Sequence, residues 1–176
     1  MKPRSRSIRP DVRQLCALSL LAALMLGLQL AMASLPNIHL TALLIILGAV
    51  FFGWSCLYSV AVFVLLEGLI WGFGPWWISY VYVWPLLAVA AVLMRANRSP
   101  LIWAVAAGLH GLLFGALCAV PYLFIGGPEA AFSYWIAGLG FDLAHCAGNF
   151  ALTLLLFRPL CRALERLLGS RAERSM

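Results

Sequence analysis

Apolar residues run along this chain in long blocks, separated by short breaks of glycine, proline or arginine. A helix needs about 20 mostly apolar residues to cross a bilayer, so each block is read against that length. The first block covers residues 15–35 and ends at Pro36-Asn37. The second, residues 39–52, is short and broken by Gly48 and Gly53. The third covers 57–71 and closes at Gly72-Phe73-Gly74-Pro75, and the fourth covers 76–94. The fifth starts after Pro100 and runs to Phe124, with Pro121 near its outer end; Gly126-Gly127-Pro128 then turns the chain into the sixth, residues 131–157. The pattern predicts an all-α membrane protein, a bundle of about six transmembrane helices.

Composition agrees: 64% of residues are hydrophobic and 10% charged, against roughly 45–50% and about 25% in soluble domains. Lipid is the natural solvent for such a surface. The net charge of +6 changes the picture only through its placement. Lys2, Arg4, Arg6, Arg9 and Arg13 precede the first block, Arg95 and Arg98 share one loop, and Arg158, Arg162, Arg166, Arg171 and Arg174 close the chain. A nucleic-acid groove would spread such residues along one surface. Clusters flanking bare apolar runs follow the positive-inside rule, which puts both termini in the cytoplasm and the loops near residues 36, 74 and 127 outside. The expected divisions are a basic tail (1–14), a membrane domain (15–158) and a basic amphipathic tail (159–176) carrying Leu160, Leu164, Leu167 and Leu168. Ala31-Met32-Ala33 resembles a signal-cleavage site, but the run before it exceeds the about 7–15 residues of a signal core. A retained first helix is therefore expected. The five cysteines form no CxxC pair and read as reduced packing residues.

Ser19, Ala23, Gly27 and Ala31 follow one another at four-residue spacing. Small side chains allow close backbone approach in lipid, either inside the bundle or against another membrane protein. Ionisable groups at membrane depth are costly and mark candidate function. They are Glu67, His110, Asp142 and His145, with Asn149 added at the turn after His145. Asp142, His145 and Asn149 share one helix face by their i, i+3, i+7 spacing. For His110 an internal hydrogen bond is the plainer expectation. Aromatic residues, among them Trp71, Phe73, Trp76, Trp77, Tyr80, Tyr82, Trp84, Tyr122, Tyr134 and Trp135, gather toward the outer side. An interfacial belt accounts for part of them. The imbalance against the inner side, where Trp54 and Trp103 stand, favours an outward pocket lined by rings, suited to a flat, partly apolar solute.

No Walker A sequence, Gly-x-Ser-x-Gly elbow or His-Glu-x-x-His pair occurs, and no cofactor is expected. Phe141-x-x-x-His145 and His145-x-x-x-Asn149 are similar to two motifs of CAAX-type intramembrane proteases. That family's Glu-Glu-x-x-x-Arg motif is missing, because Leu66 precedes Glu67 and Trp71 fills the arginine position. Transition-metal uptake is a further alternative, with Glu67, Asp142 and His145 as ligands. Three histidines and a start of Met1-Lys2-Pro3 give it little support.

Four stretches carry a broader likeness: Leu35-Pro36-Asn37-Ile38-His39-Leu40, Phe63-Val64-Leu65-Leu66-Glu67-Gly68-Leu69, Tyr82-Val83-Trp84-Pro85-Leu86, and the run from Phe141 to Phe150. Over residues 15–160 the chain resembles the substrate-binding S-components of energy-coupling factor transporters. The resemblance implies a six-helix bundle in a prokaryotic plasma membrane that captures a vitamin or related micronutrient from outside. Its implied partners are a transmembrane coupling subunit and two cytoplasmic ATPases, the chain itself being no enzyme. It also implies that the first helix docks the coupling subunit, here through Ser19, Ala23, Gly27 and Ala31 in place of a strict Ala-x-x-x-Ala. The expected substrate-binding residues are Glu67, Trp71, Trp77, Tyr80, Trp84, Asp142, His145 and Asn149.

Overall fold

The computed structural model describes residues 11–34 and 38–169. Lys2, Arg4, Arg6 and Arg9, the Pro36-Asn37 turn, and Arg171 and Arg174 lie outside the described residues. The chain forms α1 (Val12–Ala31), α2 (Thr41–Phe52), a 3-10 turn (Gly53–Ser55), α3 (Cys56–Trp71), α4 (Pro75–Leu93), α5 (Pro100–Cys118) and α6 (Val120–Gly169). Local chemistry sets several of these ends. Asp11 caps α1 by accepting from the Gln14 N–H at 2.7 Å. Pro75 and Pro100 open α4 and α5, where a missing N–H costs nothing. Gly53 (φ 58°) and Gly72 (φ 86°) stop α2 and α3 in backbone regions that favour glycine.

Among the described residues, five stretches are long and apolar enough to cross a membrane, with Thr41–Trp71 counted as one. The expectation of six meets a physical limit at α2. Its 12 residues span about 18 Å at ~1.5 Å per residue, short of the about 30 Å of a bilayer core. The Thr41–Trp71 stretch is nonetheless not straight. A Cβ on Gly48 would stand 3.3 Å from Cys56 Cβ, whereas eight residues of continuous helix would separate them by about 12 Å. The chain folds back at Gly53, and α2 and α3 lie side by side.

α2 is buried on every side from Thr41 to Ala49 and packs against all five other helices. A helix apolar all round belongs in a core. The surrounding helices turn Leu20, Leu24, Val62, Leu65, Leu69, Leu109 and Leu113 outward, an apolar surface suited to lipid. With its apolar helices, the chain has the makeup of a multi-pass membrane protein.

Three further boundaries differ from expectation. α5 ends at Cys118 instead of continuing to Phe124, and α6 begins at Val120. Pro121 has no N–H to offer the Leu117 carbonyl four residues earlier, and that carbonyl accepts from Tyr82 Oη at 2.6 Å. α6 is two helices joined across a kink at Gly127 (φ 77°), which is the turn expected at Gly126-Gly127-Pro128. Beyond the break it runs through Pro159 to Gly169, so no helix end marks the expected boundary at 158/159.

α5 and α6 approach through glycine. Gly108, Gly111 and Gly115 are buried on the α5 face turned to α6, the close-approach pattern of membrane helices. On the other side of the bundle, Ser59 Oγ of α3 donates to the Leu18 carbonyl of α1 at 2.7 Å, fully buried. Ser59→Ala is expected to lower unfolding free energy by about 0.6 kcal/mol, a typical value for a side-chain bond between membrane helices. Denaturant titration of the purified protein checks it; an unchanged midpoint would show the bond to be idle.

Candidate functional site

A cavity of about 400 Å³ opens at one end of the bundle. Gln29 and Leu30 of α1, Ile38 and His39 of the connection to α2, and Glu67 and Trp71 of α3 form one side. Trp76 and Tyr80 of α4, Phe114 of α5 and His145 of α6 form the other. Its size and mixture of rings with few polar groups match small-molecule sites.

The polar atoms here are notable for what they lack. Glu67 Oε1, His39 Nδ1 and both ring nitrogens of His145 are buried without a hydrogen-bond partner among the described residues. Glu67 and His145 are each 1% exposed. Buried polar groups are normally satisfied, because leaving one unmatched costs about 1–3 kcal/mol. Several such atoms gather around one cavity, where a ligand or solvent can supply partners. In the connection outside the helices, burial lowers His39 from the usual 6.5 to about 4, and the neighbouring His110 adds to the effect. His39 therefore meets a ligand as a neutral imidazole near pH 7.

Rings brace the floor. Trp84 is fully buried and packs against His39, Tyr80, His110 and Phe114, with centroids 5.3–5.7 Å away. Phe114 and His39 each stand 4.8 Å from the His145 ring. All three histidines of the chain thus converge behind the cavity, with His110 6.5 Å from His145. They form no metal-binding set, and no group of three or more His, Cys, Asp or Glu suited to a metal ion occurs among the described residues.

The structure brings four of the eight expected substrate-binding residues to the cavity: Glu67, Trp71, Tyr80 and His145. The other four lie behind it or beside it. Trp77 donates from Nε1 to the Val64 carbonyl at 2.8 Å and bolts α4 to α3. Trp84 belongs to the core. Asp142 Oδ1 accepts from the Gly115 N–H at 2.9 Å, and Asn149 Nδ2 donates to the Ala107 carbonyl at 3.3 Å. Asp142, His145 and Asn149 do share the inward face of α6, with buried Thr153 extending the stripe, but Asp142 and Asn149 hold α5 instead of facing the cavity. Asp142 pairs with no histidine. His110 Nε2 donates to the Val83 carbonyl at 3.2 Å, the internal bond expected for it.

Sequence reasoning missed Gln29, His39, Trp76 and Phe114 as wall residues. His39 stood inside the quoted Leu35–Leu40 stretch, and Trp76 among the outer aromatics. Gln29 was the readable signal, as an amide inside an apolar run that now accepts from Thr41 Oγ1 at 3.2 Å.

On α1, Leu18, Ala22 and Met25 face the bundle. Ser19, Ala23, Gly27 and Ala31 lie on the opposite side, all exposed, and a Cβ on Gly27 would meet nothing within 4 Å. The stripe therefore takes no part in packing inside the bundle. All five cysteines are free. Comparisons of the chain with protein-family models, with curated proteins and with solved structures each return no match.

Proposed function

We propose that the chain is the substrate-binding subunit of an energy-coupled importer, of the S-component kind, capturing a small micronutrient from outside a prokaryotic cell. One observation carries the reading: a cavity walled by five helices whose buried polar atoms on Glu67, His39 and His145 await partners. The bundle crosses the membrane with both termini inside. The basic clusters at 95–98 and 158–166 then mark the cytoplasmic ends, and the cavity lies at the outer end. A solute enters there, stacks between Trp71, Trp76 and Tyr80, and satisfies Glu67 and the imidazoles. Release inward needs a partner that moves the loaded bundle, because the chain carries no ATPase motif of its own. The exposed small-residue stripe of α1 is the face such a partner would take.

The CAAX-protease alternative is less well supported. It needs a second glutamate beside Glu67, where Leu66 stands. Metal uptake has no group of three or more His, Cys, Asp or Glu to draw on among the described residues.

The test is ligand titration of the full-length protein in detergent, read by tryptophan fluorescence, since Trp71 and Trp76 line the cavity. Quenching by one member of a panel of B-vitamins and corrins is expected. Glu67→Ala should weaken that binding about ten- to a hundredfold, the range given by losing a hydrogen bond to a charged group worth about 1.5–3 kcal/mol. A folded sample that responds to no member of the panel would count heavily against the proposal.

A further inference from the structure

The charges along the chain separate by sign as well as by position. No Lys or Arg occurs in residues 14–94 or 99–157, which between them supply every wall residue of the cavity. Three of the six acids, Glu67, Glu129 and Asp142, fall inside those two stretches, whereas Asp11, Glu165 and Glu173 accompany the basic clusters. Asp142 holds the Gly115 N–H, and Glu129 is exposed at the outer turn. Glu67 alone presents a carboxylate to the cavity, buried, with Oε1 unmatched.

Resting on the reading of this cavity as a solute site, we propose that its ligand is an organic cation carrying a flat ring, and that carboxylate- or phosphate-bearing solutes are rejected. Three features act in the same direction. A buried carboxylate without a positive partner is completed by a cation, and it repels an anion across a low-dielectric gap. The faces of Trp71, Trp76 and Tyr80 attract positive charge through their ring quadrupoles. An outer half bearing acids and no bases draws cations toward the mouth. An anionic ligand would be met best by a guanidinium or an ammonium, and the walls hold neither Lys nor Arg.

The experiment holds the ring constant and changes its charge. 1-Methylnicotinamide (cation), nicotinamide (neutral) and nicotinate (anion) are titrated at neutral pH into the full-length protein, wild type and Glu67→Gln. Wild type should bind the cation about tenfold more tightly than the neutral amide, a difference of about 1.4 kcal/mol, and nicotinate most weakly. Glu67→Gln keeps the side chain's shape and should bring the cation down to the level of the amide. Nicotinate or nicotinamide binding as well as the cation overturns the proposal while leaving the cavity a solute site. So does a charge order unchanged in Glu67→Gln. Failure of all three to bind overturns this inference, while the solute-site reading stands or falls by the vitamin and corrin panel. The charge order in wild type is read without the variant, so a misfolded Glu67→Gln protein does not rescue the idea.

Discussion

Gly111→Leu is expected to prevent the bundle from assembling, or to leave it unfolding at far lower denaturant than the parent. A Cβ at this position would stand 2.8–2.9 Å from the His145 carbonyl carbon and oxygen and the Cys146 nitrogen. All three are backbone atoms, so no side chain can swing away, and α5 and α6 must separate. Separation would strip the Gly115 N–H from Asp142 and the Ala107 carbonyl from Asn149. Overpacking alone costs about 1–3 kcal/mol, and each polar group left buried and unmatched adds about 1–3 kcal/mol. Membrane insertion followed by denaturant unfolding of the purified protein measures the loss. Gly138→Leu is the control, because a side chain there would meet nothing within 4 Å. Equal midpoints for the two variants would refute the glycine seam.

Gly27→Leu should have the opposite profile: a normal fold, normal ligand binding and no uptake. Leu18, Ala22 and Met25 carry the packing of α1, and Gly27 lies on the far side. Leucine at this position therefore disturbs nothing within the chain. Against a partner helix it would hold apart two backbones whose attraction depends on close contact. Transport in cells that supply a coupling subunit and ATPases should fall at least about tenfold, the effect of losing about 1.4 kcal/mol of association. Co-purification of those subunits should fall with it. Wild-type transport by Gly27→Leu would remove α1 as the docking face.

The long apolar runs made the helices legible because lipid imposes one requirement on every residue of a span. Their ends were legible where proline or glycine acts locally, as at Gly72 and Pro75. The end of α5 was not, because its break turns on whether Tyr82, 39 residues before Pro121, reaches the freed Leu117 carbonyl. The site divided in the same way. Glu67 and His145 stood out as ionisable groups in apolar runs. Asp142 and Asn149 stood out equally, yet they bond to α5, and spacing on α6 alone cannot separate a residue facing a cavity from one facing a neighbour. The Gly111-x-x-x-Gly115 pair carries the same close-packing signal as the α1 stripe, and spacing alone cannot say which of the two meets a neighbour inside the bundle.

The cavity wall takes residues from five helices and one connection, so a bound molecule becomes a tie that touches nearly every element of the bundle at once. A ligand that recognises only the assembled wall stabilises the fold by mass action, about 2.7 kcal/mol at a hundred times its dissociation constant. The melting temperature of the purified protein thus becomes a detector that needs no prior identity for the solute. Pooled metabolite extracts can be screened by the upward shift they cause, and the active component followed by fractionation until one compound remains.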